Sequence, residues 1–176
     1  MPSPVGHTIV ALALHALTAR DRDEAASLRR AAVFVGAAVA PDLDLLLRFI
    51  DGRNHHQAES HSIGCAAIAS LMAWGLARVF RLAGPGRWAM AAALGWSSHV
   101  ALDYLGHDTH PPIGLMALWP LSSGHYKFPW PLFMDIGRTL DMKTLRHNAL
   151  AVAWEMVALA PLLALAWRMR PSRRSA

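Results

Sequence analysis

Five stretches of the chain combine helix length with apolar character, and none shows the strict alternation of a half-buried strand, which predicts an all-α fold. They run from about Pro4 to Ala19, Leu28 to Ile50, Ser62 to Phe80, Trp88 to Leu105 and Asn148 to Met169. Proline near the start of the first is well placed, because the first turn of a helix has no backbone hydrogen bond to lose there. The second is interrupted at Ala40-Pro41-Asp42-Leu43-Asp44, where proline should kink or restart the helix. Ser60 or Ser62 can cap the third, and Gly106 can end the fourth. Between the fourth and fifth lies a 42-residue loop, Gly106 to His147, rich in proline, glycine and aromatic residues. A loop of that length in a compact domain is usually functional or contains short elements of its own. With 176 residues and no repeat or linker, the chain is expected to be one domain over 1–176, with an Arg-rich tail at 168–176.

Charged residues make up 16% of the chain, against roughly 25% in an ordinary soluble domain. Ile63 to Ala77 carries no charge in 15 residues, and Ala149 to Trp167 carries only Glu155 in 19, close to the roughly 20 needed to cross hydrocarbon. These features favour a membrane-embedded bundle of about five helices. A mean hydropathy of +0.26 leaves a soluble helical bundle as the alternative. If the helices alternate in direction, one end of the bundle collects Arg20, Arg22, Arg29, Arg30, Arg78, Arg81, Arg87, Arg168, Arg170, Arg173 and Arg174, which is 11 of the 17 basic residues. The positive-inside rule assigns that end, tail included, to the cytoplasmic side. The net charge of +5 thus lies in loops and a tail rather than on a basic face, and no direct contact with nucleic acid is expected. The first positive charge comes only at Arg20, and His7 and His15 break the leading apolar run, so no signal peptide is expected and His7 should remain in the mature protein.

The same alternation carries most of the ten histidines to the opposite end. Cys65 is the only cysteine, so no intramolecular disulfide or Cys-x-x-Cys clip can form, and any metal must be held by imidazole and carboxylate. His99 and Asp103 stand four apart on the fourth helix and point to one face, where they either share an ion or pair with each other. Asp42 and Asp44 lie in an apolar segment, where a carboxylate is costly unless a metal, a cation or water compensates it. Capping the restarted helix would account for one of the two. His56 and His61 are five apart across the turn into the third helix. Together His7, Asp42, His56, His61, His99 and Asp103 form a candidate ligand set for a divalent metal, zinc first, with manganese, iron or nickel as alternatives. Asp103, as a bridging ligand, and Asp44, as a supporting residue or base, are the candidate catalytic carboxylates. Glu155, inside the last helix, is either functional or hydrogen-bonded in the core. His107, His110 and His125, in the long loop, are further candidates to complete the site.

The ordered set of His7, Pro41-Asp42-x-Asp44, His56-x-x-x-Ser60-His61-Ser62, Ser98-His99-x-x-x-Asp103 and Gly114-x-x-x-x-Trp119-Pro120 resembles the YdjM-like family of bacterial inner-membrane metal-dependent hydrolases, also described as LexA-binding. The likeness covers roughly residues 1 to 125. Gln57 stands where the family pattern usually has arginine. More distantly, the order His7, Asp42, His56, His99, Asp103 is similar to the ligand order of zinc-dependent phospholipase C and fungal zinc nucleases. These resemblances imply an integral inner-membrane helical protein with hydrolase activity.

The expected function is therefore hydrolysis of an ester by metal-activated water. A phosphoester is the first choice, on a small molecule or a membrane lipid, with the site toward the outer side of the membrane. The alternative is a non-catalytic membrane protein whose structural metal or polar network ties the helix ends together while its loops bind a regulator.

Overall fold

The computed structural model describes residues 1–19 and 23–170. Arg20 and Arg22 of the first basic loop, and Arg173 and Arg174 of the Arg-rich tail, lie outside the described residues. Within them, five helices of 15 to 27 residues carry the fold, and there is no strand. Helix α1 is Pro4–Thr18, and the Ser3 side chain accepts from the Val5 and Gly6 amides at its start. Helix α2 is Glu24–Val39, beginning four residues before its apolar run because Asp23 caps the Ala25 and Ala26 amides. Pro41 then forces the expected break: Ala40–Leu46 winds as a 3₁₀ helix, and the one-turn helix α3, Arg48–Asp51, ends at Gly52 with φ +72°. A second 3₁₀ turn, Glu59–His61, leads into α4, Ile63–Val79, capped by Ser62. Helix α5, Pro85–Tyr104, starts on its proline after Gly84. Helix α6, Met142–Arg168, begins six residues before the expected Asn148, because Asp141 caps the Thr144 amide and a polar first turn precedes the apolar run.

Helix α5 packs on α4, α2 and α1, and α6 packs on α1. The interior is built largely from alanine, with Ala11, Ala13, Ala38, Ala91, Ala151 and Ala166 buried, whereas Leu71, Phe80, Val157 and Leu165 face outward. Small residues inside and large apolar residues outside is the arrangement of helices packing in lipid, where burying a leucine between helices gains little over leaving it among acyl chains. Gly95 marks a close approach of α5 and α2: a Cβ there would lie 2.6 Å from the Phe34 carbonyl oxygen. Among the described residues only α6 is both long and apolar enough to cross a membrane by itself, and just 22% of its most apolar 18-residue stretch is buried. The helices thus form the expected all-α bundle, with one candidate span by length and composition among the described residues. Helices α1 and α4 are apolar but have 15 and 17 residues, shorter than a typical crossing.

The long connection between α5 and α6 folds over the end of the bundle where α1 and α4 begin. The amides of Ile63 and Gly64 donate to the carbonyls of Ala117 and Trp119, at 3.0 Å each, and Trp154 Nε1 of α6 donates to the Leu132 carbonyl. Phe133 packs with Leu102 and Leu159. This covered end carries the candidate ligands. Arg29, Arg30, Arg78, Arg81, Arg87 and Arg168 sit at the opposite end, by the start of α2, the α4–α5 turn and the end of α6.

Candidate metal centre

The ligand candidates reach the centre from four segments: α1, the 3₁₀ turn after α2, the turn before α4, and α5. His7 lies one turn inside α1 and is fully buried. Asp42 and Asp44 project from the 3₁₀ segment that Pro41 creates, His61 closes the turn before α4, and His99 and Asp103 stack one turn apart on α5. His61 Nε2 and His99 Nε2 lie 3.3 and 3.1 Å from Asp103 Oδ2, and His7 Nε2 lies 3.4 Å from Asp103 Oδ1. Asp42 Oδ1 sits 3.6 Å from His61 Nε2 and 3.7 Å from His99 Nε2. The His7 and His99 rings stack with centroids 4.0 Å apart.

These contacts are not satisfied hydrogen bonds. Both Asp103 oxygens, both His7 ring nitrogens and the Nε2 atoms of His56, His61 and His99 are buried without a hydrogen-bond partner. A buried unpaired polar atom costs on the order of 1–3 kcal/mol, so this many in one place is anomalous for a finished core. The spacing suggests the resolution. Ligands bound tetrahedrally at about 2.1 Å from one ion are roughly 3.4 Å apart, and the separations here cluster around that value. The donor set therefore fits a divalent metal held by imidazole and carboxylate.

The imidazoles of His56, His61 and His99 are held in the tautomer that ligation needs. His99 Nδ1 donates to the Ala38 carbonyl at 2.8 Å. Asp44 accepts from His56 Nδ1 at 2.8 Å on one oxygen, and on the other from Ser60 Oγ at 2.6 Å, with His61 Nδ1 3.1 Å away. With the proton on Nδ1, each Nε2 presents a lone pair to the centre. Asp44 thus stands behind two imidazoles rather than among the inward-facing atoms, while Asp42, two residues earlier, faces them. Burial by itself would raise the Asp44 pKa, but the hydrogen bonds from His56, His61 and Ser60 outweigh it and hold the carboxyl well below the usual carboxylate range. Burial would likewise lower the His61 pKa, yet the carboxylates of Asp103, Asp42 and Asp44 around the ring favour its charged form and hold the value well above the ordinary one.

Glu155 does not join the cluster. It receives the Ser3 amide at 2.7 Å, the Gly6 amide at 3.1 Å and the Ser3 hydroxyl, and so caps the start of α1 from α6. A Cβ on Gly6 would lie 2.7 Å from its carboxylate. His125 is exposed, whereas His107 and His110 line a cavity of about 180 Å³ that also reaches Asp42 and His56. The sequence offered Ser60 only as a helix cap and as part of the family motif, and gave no role to the Ala38 carbonyl or to Trp96, whose Nε1 donates to the Ser60 carbonyl at 2.8 Å. The one available signal was Ser60 beside His61.

A family model described as YdjM inner membrane protein matches residues 1–172, continuing through α6 beyond the motifs in residues 1 to 125. No curated protein and no solved structure matches the chain.

Proposed function

The chain belongs to the YdjM inner membrane protein family, and from that premise we propose that it is a membrane-bound, metal-dependent hydrolase acting on an ester, in the first instance a phosphoester. His7, Asp42, His61, His99 and Asp103 would hold a divalent ion, zinc before manganese, iron or nickel, with His56 at the edge nearest the cavity. The observation that carries this reading is the convergence of three buried imidazole Nε2 atoms on the two oxygens of Asp103, all without a hydrogen-bond partner.

The ion would supply Lewis-acid polarisation and a lowered pKa for water at the site. Asp44 is a positioning residue: it locks His56 and His61 in the Nδ1–H tautomer and takes no part in the reaction itself. Asp103 presents one oxygen to His7 and the other to His61 and His99, so it would hold the ion together with those imidazoles. The folded-over α5–α6 connection limits water at the centre while leaving Asp42 and His56 open to the cavity. That access favours catalysis over a closed structural site, in which protein ligands fill every position. The clustering of arginines at the far end supports an inner-membrane orientation with that end cytoplasmic and the site facing outward.

The test is elemental analysis of chelator-free, detergent-purified protein, followed by ester and phosphoester assays. Wild type is expected to hold a transition metal and hydrolyse a phosphoester, and Asp103→Asn to lose both while keeping the helical circular dichroism of the wild type. Wild type that is folded, metal-free and unable to bind added zinc refutes the proposal.

A further inference from the structure

The cavity beside the ligand cluster has a built polar floor and an apolar rim. Asp42 and His56 form the side toward the cluster, and His56 Nε2 is buried without a hydrogen-bond partner. His107, His110 and Arg138 also line it, with Leu45 and Ile136 among its apolar residues. Asp108 and Asp135 are lining residues too, and both are engaged. Asp108 accepts from the His110 and Gly114 amides at 3.0 and 2.7 Å, and Asp135 accepts from Thr109 and lies 3.3 Å from His147. Among the described residues no carboxylate pairs with Arg138. Its side chain is exposed, and its guanidinium is a cation of the cavity with no carboxylate partner, a fork suited to two oxygens of a phosphoryl group; the Met1 ammonium, which also lines the cavity, donates to the His107 carbonyl.

The volume limits what fits. About 180 Å³ holds roughly six waters at 30 Å³ each, enough for a phosphoryl headgroup and too small for a whole lipid. The two chain segments that meet at the cavity continue into exposed apolar residues. Beyond Leu45, Phe49 is 87% and Ile50 81% exposed, and two residues past Arg138, Leu140 is 99% exposed. Apolar side chains this open beside a charged pocket suit a lipid–water boundary, where tails lie against the rim and headgroups reach the pocket.

We infer that the cavity is the headgroup pocket for an amphiphilic phosphoester. Its phosphoryl oxygens sit between Arg138 and the Asp42–His56 edge, and its hydrocarbon lies along Phe49, Ile50 and Leu140. The inference rests on the proposed hydrolase reading for cleavage alone; recognition stands on the pocket.

Binding to the detergent-purified full chain is measured by native mass spectrometry with dioctanoyl phosphatidic acid, dioctanoylglycerol and glycerol 3-phosphate. Wild type is expected to bind the phosphatidic acid about tenfold or more tighter than either partial probe, the scale of one lost charge-assisted contact. Arg138→Gln removes the advantage over dioctanoylglycerol, the double variant Phe49→Ser, Ile50→Ser removes the advantage over glycerol 3-phosphate, and neither changes bound metal. Full phosphatidic acid affinity in Arg138→Gln, or equal binding of glycerol 3-phosphate by wild type, overturns the inference. Arg138-dependent binding in protein that takes up no metal would sink the hydrolase reading and leave the pocket intact. Metal-dependent ester cleavage without headgroup or chain selectivity would do the reverse.

Discussion

Replacing Asp44 with asparagine changes little in volume yet should uncouple the centre from its support. The carboxylate serves three donors, with His56 Nδ1 at 2.8 Å on one oxygen and Ser60 Oγ and His61 Nδ1 at 2.6 and 3.1 Å on the other. Asparagine keeps one acceptor oxygen and puts an NH₂ donor where the second stood. At least one imidazole then meets a donor with its Nδ1–H. It relieves the clash by moving its proton to Nε2, which is the nitrogen that must be bare to bind metal. Losing the supporting partner of a metal-binding histidine typically lowers affinity 10–100-fold, or about 1.4–2.8 kcal/mol. The expected result for Asp44→Asn is a zinc affinity lower by that factor in a chelator-competition titration, with helicity unchanged. Asp44→Glu should recover part of it, because both acceptors return. An unchanged affinity in the asparagine variant would mean that Asp44 does not set the tautomers, and the reasoning about the centre would fail.

Apparent zinc affinity should keep rising with pH beyond about 6.5, the ordinary histidine value, because the imidazolium of metal-free His61 is held well above it and must give up its proton to the ion. By the same sign, in metal-free protein the charged His61 stabilises the fold fully below about pH 6.5, and that contribution fades as pH climbs through the raised folded value. Thermal melts with chelator across pH 5–9 check both, and a pH-independent zinc affinity would contradict them. Glu155→Ala strands the Ser3 and Gly6 amides in a buried position, and at roughly 1–3 kcal/mol each the variant should melt markedly below wild type in detergent. Metal per folded chain should stay the same, since Glu155 touches no ligand. Gly95→Val pushes a side chain into the Phe34 carbonyl of α2 and should cost at least about 1–3 kcal/mol, read from the same melts; Gly75→Ala, with open space around it, should not.

Within the candidate centre, the His99–Asp103 pair was legible because helical spacing puts residues four apart on one face. The collection of ligands at one end was legible because alternating helices leave few arrangements. The division of labour between Asp42 and Asp44 was not. They stand two apart in a 3₁₀ segment, and which one faces the imidazoles depends on how Pro41 turns the chain after α2. The role of Glu155 was equally hidden, because its partners Ser3 and Gly6 lie about 150 residues away. The starts of α2 and α6 were placed late because their polar first turns carry no apolar pattern, and only the caps Asp23 and Asp141 mark them.

By itself, then, the amino-acid order determined an all-helical chain with arginines at one pole and histidines and aspartates at the other, since periodicity and charge are local properties that survive without a fold. Tertiary structure alone decided which nitrogen of an imidazole such as His99 faces inward, which carboxylate supports and which confronts it, and that Arg138 of the long loop comes to line the cavity beside the centre. Those are distances of a few ångströms between residues remote in the chain, and only packing sets them.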